Sequence, residues 1–265
     1  MQKTGVRFYS LFATILFLLP VVMRLFMHLS PVNSIYNIVF YAVYLLEVVL
    51  IGADVVRTPG YAKAFCFDNV FRLNVFSYLL ATGFFIDFVV SVSQIINAFS
   101  GNMGINLIDF IPDCLCCILA FGCCLYFITV GLSFSGDNYD FRQFRYYHIV
   151  VLLWSIAKIL TVLSEIINFT YDLNQVIKYF VLIFGACFFY CFVSETERQE
   201  GAKKITVFFA RVYAYCAVFY FIDRVILLFT TDTALTHPDN FFAITALFAG
   251  VFAFFFEKNI IYHKE

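Results

Sequence analysis

The chain has 265 residues, of which 63% are hydrophobic and 13% are charged, and its mean hydropathy is +0.88. A soluble domain is about half apolar and a quarter charged, so this composition excludes an ordinary water-soluble domain. The net charge of −1 and the absence of a long charged run argue against nucleic acid as a partner. The lipid bilayer is the expected environment.

Eight apolar segments are long enough to cross a membrane, because about 20 helical residues span ~30 Å of hydrocarbon. In chain order they cover 6–28, 35–56, 73–99, 106–131, 146–168, 174–194, 205–230 and 240–257. The first resembles a signal peptide at its basic start, but it continues past Pro20 and has no small-residue cleavage site, so we expect a retained span. The sequence predicts an all-α, polytopic membrane protein with eight transmembrane helices.

Among the connections, Lys and Arg occur in one alternate set, and both termini also carry them. The other connections, at 29–34, 100–105, 169–173 and 231–239, contain no Lys or Arg. Cytoplasmic loops of membrane proteins are enriched in Lys and Arg. We therefore predict that both termini are cytoplasmic and that the protein is a multi-pass protein of the plasma (cell) membrane.

Taken in pairs, the eight spans predict four helical-hairpin repeats within a single transmembrane domain, 1–265. The units cover approximately 6–56, 73–131, 146–194 and 205–257. The second helices of the last three units read "LAFGCCLYFI", "LIFGACFFYCF" and "ALFAGVFAFFF", each with Phe followed by two small residues. Small residues let membrane helices approach closely, which favours a repeated contact face. Chance similarity in a Phe-rich chain is the alternative.

The first helices of the four units carry charges at similar depths. They read "VVMRLF" (21–26), "FIDFVV" (85–90), "SIAKIL" (155–160) and "FIDRVI" (221–226). With Glu165, two turns beyond Lys158, these charges predict a ligand-binding or ion-pair cluster in the outer half of the membrane: Arg24, Asp87, Lys158, Glu165, Asp223 and Arg224. An ion in a span costs about 2.5–3.5 kcal/mol on insertion scales, so each should pair or line a wet cavity.

Asp223 and Arg224 are neighbours in the chain and lie about 100° apart on a helix, so each should contact a different partner. We expect Asp223 to meet Lys158 or Arg24, and Arg224 to meet Asp87 or Glu165. Two interpretations of the cluster remain open. The charges are interhelical ion pairs, or they line an outward-facing pocket for an ion, a small solute or a peptide.

Catalytic motifs such as HExxH, GxSxG and the P-loop are absent from the sequence. We expect no cofactor and no metal centre, because the cysteines lie mostly in apolar runs and lack the two CxxC pairs, or the partner His, of a zinc site. Weaker alternatives are a metal cluster on "CLCC" and "GCC", and a cation site at Asp109 and Asp113. His148, near one end of a span, is expected to be an interfacial residue.

The sequence favours a non-enzymatic membrane module that binds a small solute, ion or peptide from the outer side, in transport or as the membrane subunit of a complex. A receptor or structural subunit whose charges are only ion pairs is one alternative, and an intramembrane enzyme using Asp87 and Asp223 is another. Besides the lipid bilayer, a cytoplasmic or membrane protein is a candidate partner through the connections 57–72 and 194–204.

Overall fold

The computed structural model describes residues 18–27, 34–57, 70–100, 107–135, 147–168, 173–198, 204–230 and 237–261. They form eight α-helices: α1 (Leu18–Met27), α2 (Ser34–Arg57), α3 (Val70–Ser100), α4 (Leu107–Ser135), α5 (His148–Asn168), α6 (Leu173–Arg198), α7 (Lys204–Thr230) and α8 (Pro238–Ile261). The described residues include no β-strand, which confirms the all-α prediction. Within the described residues, the predicted and observed limits differ by at most four residues, at the ends of α4, α6 and α8.

Six of these helices are long and apolar enough to cross a membrane: α2, α3, α4, α6, α7 and α8. Two apolar stretches, Leu18–Met27 in α1 and His148–Leu163 in α5, are shorter. The chain thus has the character of a multi-pass membrane protein. Eight complete spans, the four hairpin units and the cytoplasmic location of the termini stay predictions.

Helices α3 to α8 form a closed ring. Each packs against the next in the chain, and α8 returns to pack against α3. Helix α2 packs against α7, and α1 is joined to α7 through a side-chain contact between Arg24 and Asp223. The two N-terminal helices are therefore attached to the outside of the ring mainly through α7, and Tyr44 of α2 also contacts Phe180 of α6.

The middle of the ring is filled by aromatic side chains from helices that are not neighbours in it. The Phe127 ring on α4 lies 6.0 Å from that of Phe189 on α6 and 5.7 Å from that of Phe252 on α8. Phe188 and Phe192 of α6 also contact Phe252. Because lipid is as apolar as these rings, close packing rather than exclusion from water stabilises this core.

Basic side chains meet at one end of the bundle, which we call the basic end. Near the start of α3, the Arg72 guanidinium lies 5.8 Å from the ring centre of Phe255, near the end of α8. At the start of α7, Lys204 donates a hydrogen bond to the Val56 carbonyl, at the end of α2. Neighbouring helices therefore run in opposite directions, and their basic termini share one end. We call the other end, where α3 ends and α8 begins, the far end.

The small residues of the predicted repeat lie at close helix contacts, but with different partners. A Cβ atom at Gly122 of α4 would lie 2.8 Å from Val150 of α5, the next helix. One at Gly250 of α8 would lie 2.6 Å from the Cβ of Ala217 on α7, the preceding helix. The motif thus permits close approach without fixing which neighbour approaches, and the internal repeat stays a prediction.

Candidate functional site

Asp223 of α7 forms an ion pair with Arg24 of α1. The Arg24 Nε donates to Asp223 Oδ1 at 2.6 Å, and the two residues are only 4% and 1% exposed. Arg24 is one of the two partners expected for this acid. The pair is a direct polar link between α1 and the ring.

Arg224, the next residue, contacts the beginning of α8. Its Nε donates to the Asn240 side-chain oxygen at 3.2 Å, and its other nitrogens lie 3.3 Å from His237 Nδ1 and 3.7 Å from an Asp239 carboxylate oxygen. This confirms that the adjacent charges have different partners. The expected pairing with Asp87 is wrong, because α8 packs directly on α7 and its first turn brings Asp239 within reach.

Asp239 also joins α6 to α8. Lys178, near the start of α6, donates to Asp239 Oδ1 at 2.8 Å. Two cations thus share one carboxylate in the first turn of α8, where a negative charge also complements the helix dipole. The sequence did not identify this group, because Lys178 falls in the predicted span 174–194 and Asp239 in the connection 231–239, and nothing local pairs them.

Asp87 of α3 has both carboxylate oxygens occupied by side chains of α5. Lys158 Nζ donates to Oδ1 at 3.0 Å, and the Trp154 indole N–H donates to Oδ2 at 3.2 Å. Trp154 and Lys158 are four residues apart, so they share one face of α5. Trp154 was not selected from the sequence, although its spacing from Lys158 is the signal that would have identified it.

The Asp87 site bridges the interior of the ring. Helices α3 and α5 both pack on α4 and are not adjacent in the ring. One turn nearer the basic end, the Phe84 ring meets Trp154 edge to face at 4.8 Å and stacks on Phe127. One turn nearer the far end, Ser91 of α3 is also buried. A polar layer therefore lies next to the aromatic core, on the side of the far end.

The described residues of the predicted cluster form separate contacts. Asp87 and Lys158 form one pair inside the ring, Arg24 and Asp223 form another, and neither member of the first pair contacts the second. Arg224 belongs with the first turn of α8. Arg24 of α1 and Lys158 of α5 therefore pair with different acids, and a common ligand-binding role of the six residues stays a prediction. The side chain of Glu165 lies outside the described residues.

His148 is 1% exposed and its Nδ1 lies 2.6 Å from the Tyr126 hydroxyl of α4, so its side chain is buried between helices. Its location at the membrane interface stays a prediction. At the basic end, Arg211 donates to Glu257 at 2.7 Å and also pairs with Asp54 of α2. Ion pairs are therefore present at the basic end as well as around Asp87 and Asp223.

Within the described ranges, no three His, Cys, Asp or Glu side chains are grouped closely enough to hold a metal ion. Six cysteines of α4, α6 and α7 are buried: Cys116, Cys117, Cys123, Cys124, Cys191 and Cys216. Cys66 and most of the connections 57–72 and 194–204 lie outside the described residues, as does the side chain of Asp109.

No family model, no curated protein and no solved structure matches this chain. The geometry of the buried charges therefore carries the functional assignment by itself.

Proposed function

We propose that the chain is a non-enzymatic multi-pass membrane protein that binds a small charged solute inside the ring, at Asp87, Lys158 and Trp154. The supporting observation is the Asp87–Lys158 pair, which bridges two helices that are not ring neighbours. We propose that the protein binds this solute either to transport it or as the membrane subunit of a larger complex.

Stability alone is a weak reason to retain such a pair. Replacing a buried ion pair by well-packed apolar residues is often neutral or stabilising, by up to about 4 kcal/mol. Ionisable residues inside membrane proteins are commonly found on ion or solute pathways. Here the pair provides a carboxylate for a cationic group, an ammonium for an anionic group and an indole face between them. A solute that carries both charges matches this chemistry best.

The surroundings of the site favour entry from the far end. Toward the basic end, the ring interior is closed by stacked aromatic side chains such as Phe84 and Phe127. In the other direction, Ser91 adds a buried polar side chain one turn along α3, and Asp113 of α4 interacts electrostatically with Lys158. If the basic end is cytoplasmic, as the charge distribution predicts, the solute binds from outside the cell.

The Arg24–Asp223 pair suits a structural function better than a solute-binding one. Arg24 is carried by α1, which is attached to α7 and is not a member of the ring. A charge pair between a peripheral helix and the ring fixes the position of that helix without lining the ring interior. The alternative that buried charges are only interhelical ion pairs is therefore proposed for Arg24 and Asp223, and not for Asp87 and Lys158.

The test uses the single tryptophan of the chain, Trp154, as a reporter within the proposed site. The full-length protein in lipid nanodiscs would be titrated with zwitterionic amino acids, simple amines and carboxylates while Trp154 fluorescence is recorded. We expect a saturable change with a zwitterionic compound, and its loss in Asp87→Asn and Lys158→Gln. The matched control is Asp223→Asn, the same change in the second "FID", which should leave the titration unchanged.

Two outcomes would contradict the proposal. One is a fluorescence change that survives in Asp87→Asn, and the other is the lack of a saturable change with every compound. Lys158→Arg, which retains the charge, provides a folded variant if Asp87→Asn is unstable, and it should still bind.

The connections 57–72 and 194–204 are proposed as docking segments for a cytoplasmic or membrane protein, since α2 ends and α7 begins at the basic end. Cysteine labelling of intact cells would test this orientation. Single cysteines introduced in these connections should react with an impermeant maleimide only after the cells are permeabilised.

A further inference from the structure

Glu47 is a buried acid near the middle of α2. It is 5% exposed and lies ten residues before the end of the helix at Arg57, or about 15 Å of helix rise. The other end of the helix, at Ser34, is about 20 Å away. Glu47 therefore lies near the centre of a candidate membrane span.

The surroundings of Glu47 are polar but uncharged. Tyr44 lies one turn earlier on α2, and Tyr215 and Cys216 of α7 are close enough to Glu47 to interact electrostatically. The Tyr215 side chain is a hydrogen-bonding group that interacts with the carboxyl. The Glu47 Oε1 atom is buried and accepts no hydrogen bond.

The described cations of α1, α6 and α7 are engaged elsewhere, and Arg57 of α2 is exposed at the end of that helix, ten residues from Glu47. The partners are Asp223 for Arg24, Asp239 for Lys178, the Val56 carbonyl for Lys204, Asp54 and Glu257 for Arg211, and the first turn of α8 for Arg224. Glu47 therefore differs from Asp87 and Asp223, each of which accepts from a cation within 3.0 Å.

We propose that Glu47 is a proton-binding site in the membrane. Burying an ionised carboxylate without a cation is costly, whereas a protonated carboxyl loses far less solvation and needs only hydrogen-bond partners. The ligand of this site is thus a proton, held as long as the interface between α2 and α7 excludes water and cations. When this interface opens, the carboxyl releases its proton.

A polar route connects this site to the basic end. Asp54 lies seven residues after Glu47, on the same face of α2, and its carboxylate is more than half exposed. Arg211, which binds Asp54, lies four residues before Tyr215 on α7. Proton exchange with solvent therefore follows the α2–α7 interface from Tyr215 to Asp54, and it does not involve the proposed solute site inside the ring.

Dicyclohexylcarbodiimide, an apolar reagent that partitions into membranes, tests for a protonated carboxyl. The acid transfers its proton to a carbodiimide nitrogen while its oxygen bonds to the central carbon, and the adduct rearranges to a stable N-acylurea with no leaving group. The full-length protein in lipid vesicles would be treated at neutral pH, digested and analysed by mass spectrometry. We expect one intact carbodiimide on Glu47, with labelling that falls in alkaline buffer.

The comparison acids are Asp87, Asp223 and Glu257, which are ion-paired and should remain unmodified. Glu47→Gln should abolish the modification, and Glu47→Asp should retain it. The lack of an adduct on Glu47, or labelling of the paired acids to the same extent, would overturn the proposal.

A second measurement does not depend on the reagent. Gln has the shape of a protonated Glu, so Glu47→Gln should leave the melting temperature in detergent micelles unchanged. Asp223→Asn, which removes a charge that Arg24 needs, should lower it clearly. A loss in Glu47→Gln as large as that in Asp223→Asn would show that Glu47 is ionised in the folded protein and would overturn the proposal.

Discussion

The two "FID" segments, in α3 and α7, have the same three residues and different environments. Asp87 accepts from Lys158 and Trp154 across the interior of the ring, whereas Asp223 accepts from Arg24 on a helix attached to the ring. Both acids are almost fully buried. The same short sequence therefore places a buried acid in both helices. The neighbouring helices decide whether that acid faces the interior of the ring or a peripheral helix.

The partners also differ in how far they can move. Arg24 is 4% exposed, and an arginine side chain carries its charge even when it is buried. Burial of Arg24 therefore depends on the carboxylate of Asp223. The Lys158 side chain is 16% exposed and has a flexible stem, which lets its ammonium move toward a more polar region. Loss of the acid should therefore lower the free energy of unfolding more in α7 than in α3.

The largest expected effect tests the pair on α7. Asp223→Leu leaves the Arg24 charge buried without a carboxylate, and we expect a loss of about 3–5 kcal/mol in the free energy of unfolding. The double variant Arg24→Leu/Asp223→Leu should recover most of it, because no unpaired charge remains. Reversible unfolding in mixed micelles measures both. Losses that simply add in the double variant would argue against a direct pair.

A smaller effect is expected on α3. Asp87→Asn keeps an acceptor for the Trp154 indole and releases Lys158, so we expect a loss of about 2 kcal/mol in the same unfolding measurement. Trp154 fluorescence should also shift, since the charge beside the indole disappears. A loss equal to that of Asp223→Leu would remove the proposed distinction between the two acids.

The smallest effect isolates a single hydrogen bond. Trp154→Phe retains an aromatic ring against Phe84 and removes the N–H that donates to Asp87, and we expect a loss of about 1 kcal/mol. Calorimetry of the reconstituted protein would measure this change. Because Lys158 still pairs with Asp87 in this variant, a loss several times larger would mean that the indole has a packing role that Phe does not replace.

The prediction of helices and of the separate partners of Asp223 and Arg224 succeeded because both depend on local geometry. Apolar runs of about 20 residues form membrane helices in almost any context, and adjacent side chains on a helix always diverge. The expected pairing of Arg224 with Asp87 was wrong because the sequence alone does not tell which helix packs beside it. Trp154, Asp239 and Lys178 were missed for the same reason, since each acquires its role from a residue on another helix.

The sequence by itself determined that the chain is helical, apolar enough for a bilayer and supplied with ionisable residues inside its spans. Composition, run length and helix periodicity are sufficient for this, because lipid requires the backbone to satisfy its own hydrogen bonds. Only the tertiary structure decided that six helices close into a ring, that Asp87 faces its interior and that Glu47 lies among uncharged groups. These outcomes depend on which helices become neighbours, and packing between distant segments determines that.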